Sequence, residues 1–149
     1  MKRLILGILM ISFLSIEVCA DSKYEIFVDN STKLIWQDNS DAKTVRKQWI
    51  TDANKKAKNY MNTKGDTATN YCKNLKFANS NDWRLPIKKE LEDLYTKKSK
   101  LKNISSNFPY WSSTSLEEYK DLAWVGDDDG MHRGLKSYYL YVRCVRAGQ

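Results

Sequence analysis

The sequence predicts an α+β domain, because helical and strand patterns occupy different parts of the chain. Apolar residues recur at helical spacing between residues 66 and 95. From Pro109 onward, short extended segments are separated by turn residues, and a pair of similar segments precedes the helices. This order of elements is typical of helices packed against antiparallel strands.

A β-hairpin is the first predicted element. Residues 24–28 alternate between apolar and other side chains, residues 29–31 are typical of a turn, and residues 34–36 resume a strand. From Asn39 to Lys64 the composition becomes polar and charged, with three isolated apolar residues, Trp49, Ile50 and Tyr60. We interpret this stretch as a surface insertion or a loose helix between Asp52 and Met61.

Two helices are predicted in the middle of the chain. Asp66 can cap the first, whose inward face would consist of Ala68, Tyr71, Cys72 and Leu75. Pro86 suits the first turn of the second, whose apolar stripe would consist of Leu91, Leu94 and Tyr95. We expect this second helix to fray into the basic run from Lys97 to Lys102.

Three strands are predicted after Pro109: residues 110–112, 122–125 and 137–145. The segment Asp127-Asp128-Asp129-Gly130 is typical of a tight turn following the second of them. Because side chains alternate along a strand, the last one would place Leu140, Val142 and Cys144 on one face.

Residues 1–20 have the features of a secretory signal peptide. Lys2 and Arg3 precede an apolar run from Leu4 to Leu14, and small residues follow at the expected cleavage region. The run is shorter than the roughly 20 residues that cross a bilayer, so we expect a periplasmic or secreted protein that does not span the membrane. Lipidation at Cys19 is an alternative, although Glu17 is unusual at its position in a lipobox. Residues 21–149 would form one domain.

The chain is basic, with a formal net charge of +7 that becomes +6 without residues 1–20. An exported basic protein encounters polyanions such as anionic polysaccharides and phospholipid headgroups. This compartment argues against nucleic acid as a partner. A lysine-rich surface without any specific partner is the alternative interpretation.

Cys72 and Cys144 are the two cysteines that remain after cleavage. In an oxidising compartment two such thiols usually pair. Their separation of 72 positions corresponds to roughly 4 kcal/mol of stabilisation in the chain-entropy model. Zinc binding is not expected, since His132 is the one histidine and provides too few additional ligands.

Six short strings occur in a specific order along the chain. They are Leu34-Ile35-Trp36-Gln37-Asp38, Tyr71-Cys72, residues 81–86 (NDWRLP) followed by Glu90-Leu91, residues 110–114 (YWSST), Ala123-Trp124-Val125, and residues 141–146 (YVRCVR). Together they resemble the Lcl C-terminal domain family over about residues 24–146. One departure is Ile87, where the family commonly has a hydroxyl residue that would complete a capping box with Glu90. Its loss should cost about 1 kcal/mol.

The resemblance implies a fold related to C-type lectins and to formylglycine-generating enzymes, with two helices flanking a twisted antiparallel sheet. The family's namesakes are adhesin domains that bind sulfated polysaccharides, although most members have no assigned activity. We therefore expect a non-catalytic module that contacts an anionic glycan or an envelope protein. The alternatives are a structural subunit of an envelope assembly and an enzyme related to the formylglycine generators, which would require free thiols.

Several motif residues are expected to serve the architecture. Trp83 would anchor a loop, Pro86 would start the second helix, and Arg84 would bind Glu90 or a carbonyl. The string from Tyr110 to Thr114 could be a carbohydrate platform, but a core strand is the more probable use of Trp111. The remaining structural candidates are Tyr110, Trp124 and Arg143.

Ligand contacts are expected from basic and aromatic side chains. The candidates are Lys88, Lys97, Lys98, Lys100, Lys102, Tyr138, Tyr139 and Tyr141. Lysines at a helix end also complement the helix dipole, which is the alternative explanation for that cluster. No cofactor is expected. Asp127 and Asp129 offer oxygen ligands for calcium, but their spacing lacks the alternation of an EF-hand loop and favours a plain hairpin turn.

Overall fold

The computed structural model describes residues 25–106 and 109–148, so the predicted signal peptide and Tyr24 lie outside the described residues. Eight strands are present in this part of the chain: β1 (Ile26–Asp29), β2 (Leu34–Gln37), β3 (Arg46–Lys47), β4 (Tyr110–Ser115), β5 (Leu122–Asp127), β6 (Gly130–Leu135), β7 (Leu140–Tyr141) and β8 (Val145–Ala147). Three α-helices accompany them: α1 (Asp52–Lys56), α2 (Ala68–Asn74) and α3 (Lys88–Tyr95). Short 3₁₀ turns occupy Ser40–Lys43 and Lys98–Lys100.

The strands form two sheets, where the family resemblance implied a single twisted sheet. The α+β class is confirmed. One sheet has the order β1-β2-β8, and the other has the order β3-β7-β4-β5-β6. Neighbouring strands are antiparallel except β4 and β7, which run parallel where Tyr110 pairs with Tyr141. The described helices number three, because α1 adds a short helix that precedes the two predicted ones.

The N-terminal hairpin is confirmed, with Phe27 paired to Trp36 and Asp29 paired to Leu34. Asp29 organises the turn, since its carboxylate accepts hydrogen bonds from the Ser31 N–H and the Thr32 hydroxyl. Lys97 also donates to it at 2.5 Å. Burial opposes ionisation of Asp29, but the bonds from Lys97, Ser31 and Thr32 outweigh it and hold its pKa below the ordinary range.

The stretch from Asn39 to Lys64 is not a surface insertion. Its strand β3 pairs with β7 at the edge of the larger sheet, and Trp49 and Ile50 are buried in the core. The Trp49 indole N–H donates to the Ser112 carbonyl at 2.9 Å. The predicted helix is present only as α1, capped by the Thr51 hydroxyl. A two-residue strand is too short to show the alternation that reveals a strand in sequence.

Helix α2 is capped by Thr67 and not by Asp66. The Thr67 hydroxyl accepts from the Asn70 N–H at 3.3 Å, whereas Asp66 pairs with Lys47 at 2.6 Å. Cys72 faces the core from this helix, as predicted.

Helix α3 begins without a hydroxyl at Ile87, but its first N–H groups have partners. The Glu90 carboxylate accepts from the Ile87 N–H at 3.0 Å, which is one half of a capping box. The Thr114 hydroxyl on β4 accepts from the Lys88 N–H at 2.9 Å. A side chain distant in sequence therefore provides the acceptor that the helix start lacks.

The C-terminal strands differ from the prediction in two ways. The turn at Asp127 to Gly130 continues into β6, which pairs with β5 along six residues. The predicted strand 137–145 is divided into β7 and the start of β8, which belong to different sheets. Residues 142–144 thus carry the chain from one sheet to the other, and all three are buried.

A disulfide joins Cys72 to Cys144, with Cα atoms 5.4 Å apart, so this predicted bond is confirmed. It connects α2 to the residue immediately before β8. Both cysteines are fully buried among the apolar side chains of the main core cluster. The bond therefore acts as a clasp between the first of the two predicted helices and the segment that leads into the last strand.

Arg143 lies in a buried polar network between the two sheets. Its guanidinium donates to the Gln37 carbonyl at 2.6 Å, to the Asp38 carboxylate at 3.2 Å and to the Asn103 carbonyl. Asp38 also accepts from the backbone N–H groups of Lys102 and Asn103. Both charged side chains of the pair are at most 3% exposed, so each depends on these partners for stabilisation.

Lys136 is a buried cation that composition alone does not reveal, with 1% of its surface exposed. Its ammonium donates to the carbonyls of Tyr60 and Lys120 and to the Ser115 hydroxyl, between 2.6 and 2.9 Å. It also lies 4.2 Å from the centre of the Trp49 ring. Burial lowers the pKa of Lys136 to about 8.

Because the pKa of Lys136 is lower in the folded state, the free energy of unfolding depends on pH in the alkaline range. Below pH 8 both the folded and unfolded states carry the proton, and between pH 8 and the ordinary value of 10.5 only the unfolded state retains it. Stability therefore rises with pH in this window. Relative to Lys136→Met, the wild type should gain about 2 kcal/mol in free energy of unfolding between pH 7 and pH 9.5. Urea denaturation of both proteins at the two pH values measures this gain. Parallel pH dependence of the two proteins would contradict it.

Candidate functional site

A groove beside the edge strand β6 brings together aromatic and basic side chains. We call it the tyrosine groove; it has a volume of about 440 Å³ and is lined by Pro109, Val125, His132, Arg133, Gly134, Tyr138, Tyr139 and Leu140. Tyr138 and Tyr139 are 54% and 57% exposed, although both are large side chains with apolar rings. Adjacent exposed aromatic rings of this kind are typical of binding surfaces.

The segment that carries the two tyrosines is fixed by backbone contacts. The Trp49 and Ile50 N–H groups both donate to the Lys136 carbonyl, and the Gln48 side chain donates to the Ser137 carbonyl at 3.0 Å. The Tyr138 N–H donates to the Leu135 carbonyl at 2.8 Å, which closes a turn. Because its base is held in this way, little ordering of the backbone is required when a ligand binds.

Gly134 shapes the floor of the groove. A Cβ at this position would lie 2.8 Å from the Val125 side chain and about 3.1 Å from the Trp111 ring. Those atoms belong to packed side chains, so a larger residue would displace them into the core or fill the groove. The absence of a side chain at Gly134 therefore keeps this part of the surface concave.

Two basic residues line the groove, but only one directs its side chain to it. The His132 imidazole lies 3.0 Å from the Asp127 carboxylate, whereas the guanidinium of the next residue, Arg133, lies 5.5 Å from the centre of the Tyr119 ring on the opposite face of the sheet. An imidazole N–H can donate to sulfate, carboxylate and phosphate oxygens, while tyrosine rings stack on apolar faces of sugars. The arrangement can thus recognise a ligand that combines a ring with negative charge.

The predicted lysine cluster is partly engaged in internal contacts. Lys97 is ion-paired with Asp29, Lys98 with Asp128 at 3.0 Å, and the Lys88 ammonium lies over an aromatic ring. Lys100 and Lys102 are exposed. The pair between Lys98 and Asp128 places Lys98 next to the turn that connects β5 and β6.

Tyr141 lies apart from the other two candidate tyrosines. It is on β7, where its ring centre is 5.5 Å from that of Tyr110 and 6.0 Å from the Arg46 guanidinium. Tyr110 and Trp111 are themselves fully buried. This part of the aromatic set therefore contributes to the core.

The motif around Trp83 and Arg84 connects α3 to the strands. The buried Trp83 donates its indole N–H to the Phe77 carbonyl at 3.0 Å. Arg84 binds both oxygens of Glu90, at 2.7 and 2.6 Å. Burial of Glu90 favours its neutral form, but the bonds from Arg84 and from the Ile87 N–H lower the pKa of Glu90 overall.

The aspartates of the β5–β6 turn are engaged in local contacts. One oxygen of Asp127 accepts from the Asp129 N–H at 2.9 Å and faces His132, and Asp128 pairs with Lys98. Across residues 25–106 and 109–148, no group of three or more His, Cys, Asp or Glu side chains is positioned to hold a metal ion. In the same residues, no helix is long and apolar enough to cross a membrane.

Comparison with known proteins identifies the family. The sequence model of the Lcl C-terminal domain matches residues 25–146. The chain belongs to the Lcl C-terminal domain family. In this Lcl C-terminal domain the strings that begin at Leu34 and Tyr141 meet at the buried pair of Asp38 and Arg143. No curated protein matches the chain.

Sequence reasoning selected Tyr138 and Tyr139 but missed the residues of β6 that line the same groove. His132 and Arg133 lie on β6, which no prediction placed in a sheet. The dipeptide Asp129-Gly130 could have predicted this strand, because Asp-Gly favours a hairpin turn and the second strand of that hairpin begins at Gly130. Its polar composition obscured that strand.

Proposed function

We propose that this Lcl C-terminal domain is an exported, non-catalytic module that binds an anionic polysaccharide in the tyrosine groove. The observation that carries the proposal is the pair of exposed rings, Tyr138 and Tyr139, in one groove with the imidazole of His132 on β6. The basic net charge, +6 without residues 1–20, supports it, because a positive surface attracts polyanions over the range of the Debye length.

A C-type-lectin-like fold is part of the same proposal. Lectin-like binding requires a shaped surface and no reacting group. The two cysteines of the described residues form a disulfide, so they offer no thiolate for the chemistry of the formylglycine generators. His132 faces Asp127 at the surface, and neither contacts a serine or cysteine nucleophile within hydrogen-bond distance in the described part of the chain.

Affinity for heparin tests the proposal, with heparin serving as a sulfated polysaccharide probe. The double substitution Tyr138→Ala and Tyr139→Ala should weaken binding by at least about tenfold, which corresponds to roughly 1.4 kcal/mol. The rings provide stacking area but no charge, so the salt dependence of binding should change little. Titration calorimetry at two salt concentrations measures both quantities.

A matched control removes charge outside the groove. Lys55→Ala with Lys56→Ala deletes two exposed cations from α1, and it should lower affinity less than the tyrosine variant does. If the lysine variant lost about tenfold in affinity while the tyrosine variant bound like the wild type, binding would reflect general charge attraction and the groove would not be the site.

A further inference from the structure

A second cleft lies across the sheet from the tyrosine groove. Trp124 and Val125 are successive residues of β5, so their side chains point to opposite faces. On the Trp124 face the cleft has a volume of about 270 Å³. We call it the Trp124 cleft, and it is lined by Ser115, Leu116, Glu117, Glu118, Tyr119, Trp124 and Arg133.

Two cationic side chains of the protein lie over the aromatic rings of this cleft. The Lys88 ammonium lies 3.5 Å from the centre of the Trp124 ring. The Arg133 guanidinium lies 5.5 Å from the centre of the Tyr119 ring. Both distances fall within the range of cation–π attraction, and indole is the strongest of the aromatic partners. The cleft is therefore a place where positive charge is already stabilised by ring faces.

Negative charge lies at the mouth of the same cleft. Glu117 and Glu118 are exposed in the turn that leads from β4 to β5, and no salt bridge engages either of them among the described residues. Their carboxylates favour a cationic ligand and disfavour an anionic one. With Lys88 and Arg133 in place these carboxylates balance the two cations, and when the Lys88 ammonium leaves the ring they outnumber the one remaining cation.

We propose that the Trp124 cleft binds a small quaternary ammonium group, such as that of choline, which displaces Lys88 from the Trp124 ring. A primary ammonium is strongly hydrated and forms hydrogen bonds with water, so its contact with a ring competes with hydration. A quaternary ammonium donates no hydrogen bond and is suited to aromatic faces. Lys88 therefore stays over the Trp124 ring only until such a cation binds. By competing for the ring, Lys88 weakens the measured affinity for the quaternary ammonium ligand.

Two substitutions with opposite expected effects test this proposal. Titration calorimetry with choline chloride, against a background of matched ionic strength, gives the affinity of the wild type. Lys88→Met should tighten binding by about threefold to tenfold, because it removes the competing ammonium but keeps an apolar side chain. Trp124→Leu should weaken binding by at least about tenfold. The Lys88 substitution retains the backbone N–H that α3 donates to Thr114, so it is expected to fold normally.

Intrinsic fluorescence provides a second measurement. Of the five tryptophans in the chain, Trp36, Trp49, Trp83 and Trp111 are buried, at no more than 3% exposed, whereas Trp124 is partly exposed. A saturable change in emission on addition of choline therefore reports on this cleft. The change should saturate at the dissociation constant found by calorimetry.

A neutral isostere separates charge from shape. The alcohol 3,3-dimethyl-1-butanol has the form of choline without its charge, and it should bind at least about tenfold more weakly. Equal binding of the isostere, or a Lys88→Met protein that binds choline no more tightly than the wild type, would overturn the proposal.

Phosphocholine distinguishes the source of the group: binding as tight as that of choline indicates a lipid or glycan headgroup, and weaker binding indicates the free cation.

Discussion

Replacing Arg143 with methionine should lower the free energy of unfolding by about 3–5 kcal/mol. The substitution keeps an unbranched apolar side chain that reaches as far as the position of the Arg143 Nε, but it removes the charge that faces Asp38 at 3.2 Å. It also leaves the carbonyls of Gln37 and Asn103 without their donor in a place that water does not reach. Urea denaturation followed by circular dichroism measures the loss.

The same substitution at a surface ion pair is the control. Arg84→Met breaks the contact with Glu90, but almost half of the Arg84 side chain is exposed, so the loss should be about 1 kcal/mol or less. In Asp38→Asn combined with Arg143→Met, the two losses should be far from additive, because each single change leaves the other charge buried alone. Similar losses for Arg143→Met and Arg84→Met would contradict the importance of the buried network.

Removing the disulfide is the second change with a large expected effect. Cys72→Ser with Cys144→Ser should lower the free energy of unfolding by about 4 kcal/mol, since the bond closes a loop with a sequence separation of 72 residues. That loss is a large fraction of the stability of an ordinary domain. Denaturant titration of the oxidised wild type and the double variant gives the difference.

Reduction of the wild type provides an independent comparison. In the presence of a strong reductant, the free energy of unfolding of the wild type should fall to within about 1 kcal/mol of that of the serine variant. If the serine variant were as stable as the oxidised wild type, the bond would add no stability and the clasp would be dispensable. If only the variant were destabilised, the loss would arise from hydroxyl groups in the apolar core.

Local patterns in the sequence were sufficient to predict some elements of this fold. The hairpin of β1 and β2 and the inward face of α2 were predicted from spacing, and the bond between Cys72 and Cys144 was predicted from the expectation of an oxidising compartment. In contrast, β3 is two residues long, and β6 combines two glycines with polar residues. Their pairing depends on neighbours that are distant in sequence, which periodicity does not record.

Buried charge is the other feature that composition could not reveal. Lysine and arginine are usually exposed, yet Lys136 and Arg143 are each 1% exposed. Their partners are backbone carbonyls and a carboxylate brought together from separate segments. The same limit applies to the candidate site: the exposed tyrosines could be selected by type, but His132 became part of the groove only through the pairing of β5 with β6.

The pairing of β8 with β2 has a consequence for synthesis. The Gly148 N–H donates to the Lys33 carbonyl, and Val145 pairs with Trp36, so the smaller sheet needs residues from both ends of the domain. A chain that grows from its N-terminus cannot complete this sheet, the Arg143 network or the disulfide until residues 143–147 have been made. Strands β1 and β2 therefore remain without their third partner while the helices and the whole of the larger sheet are synthesised.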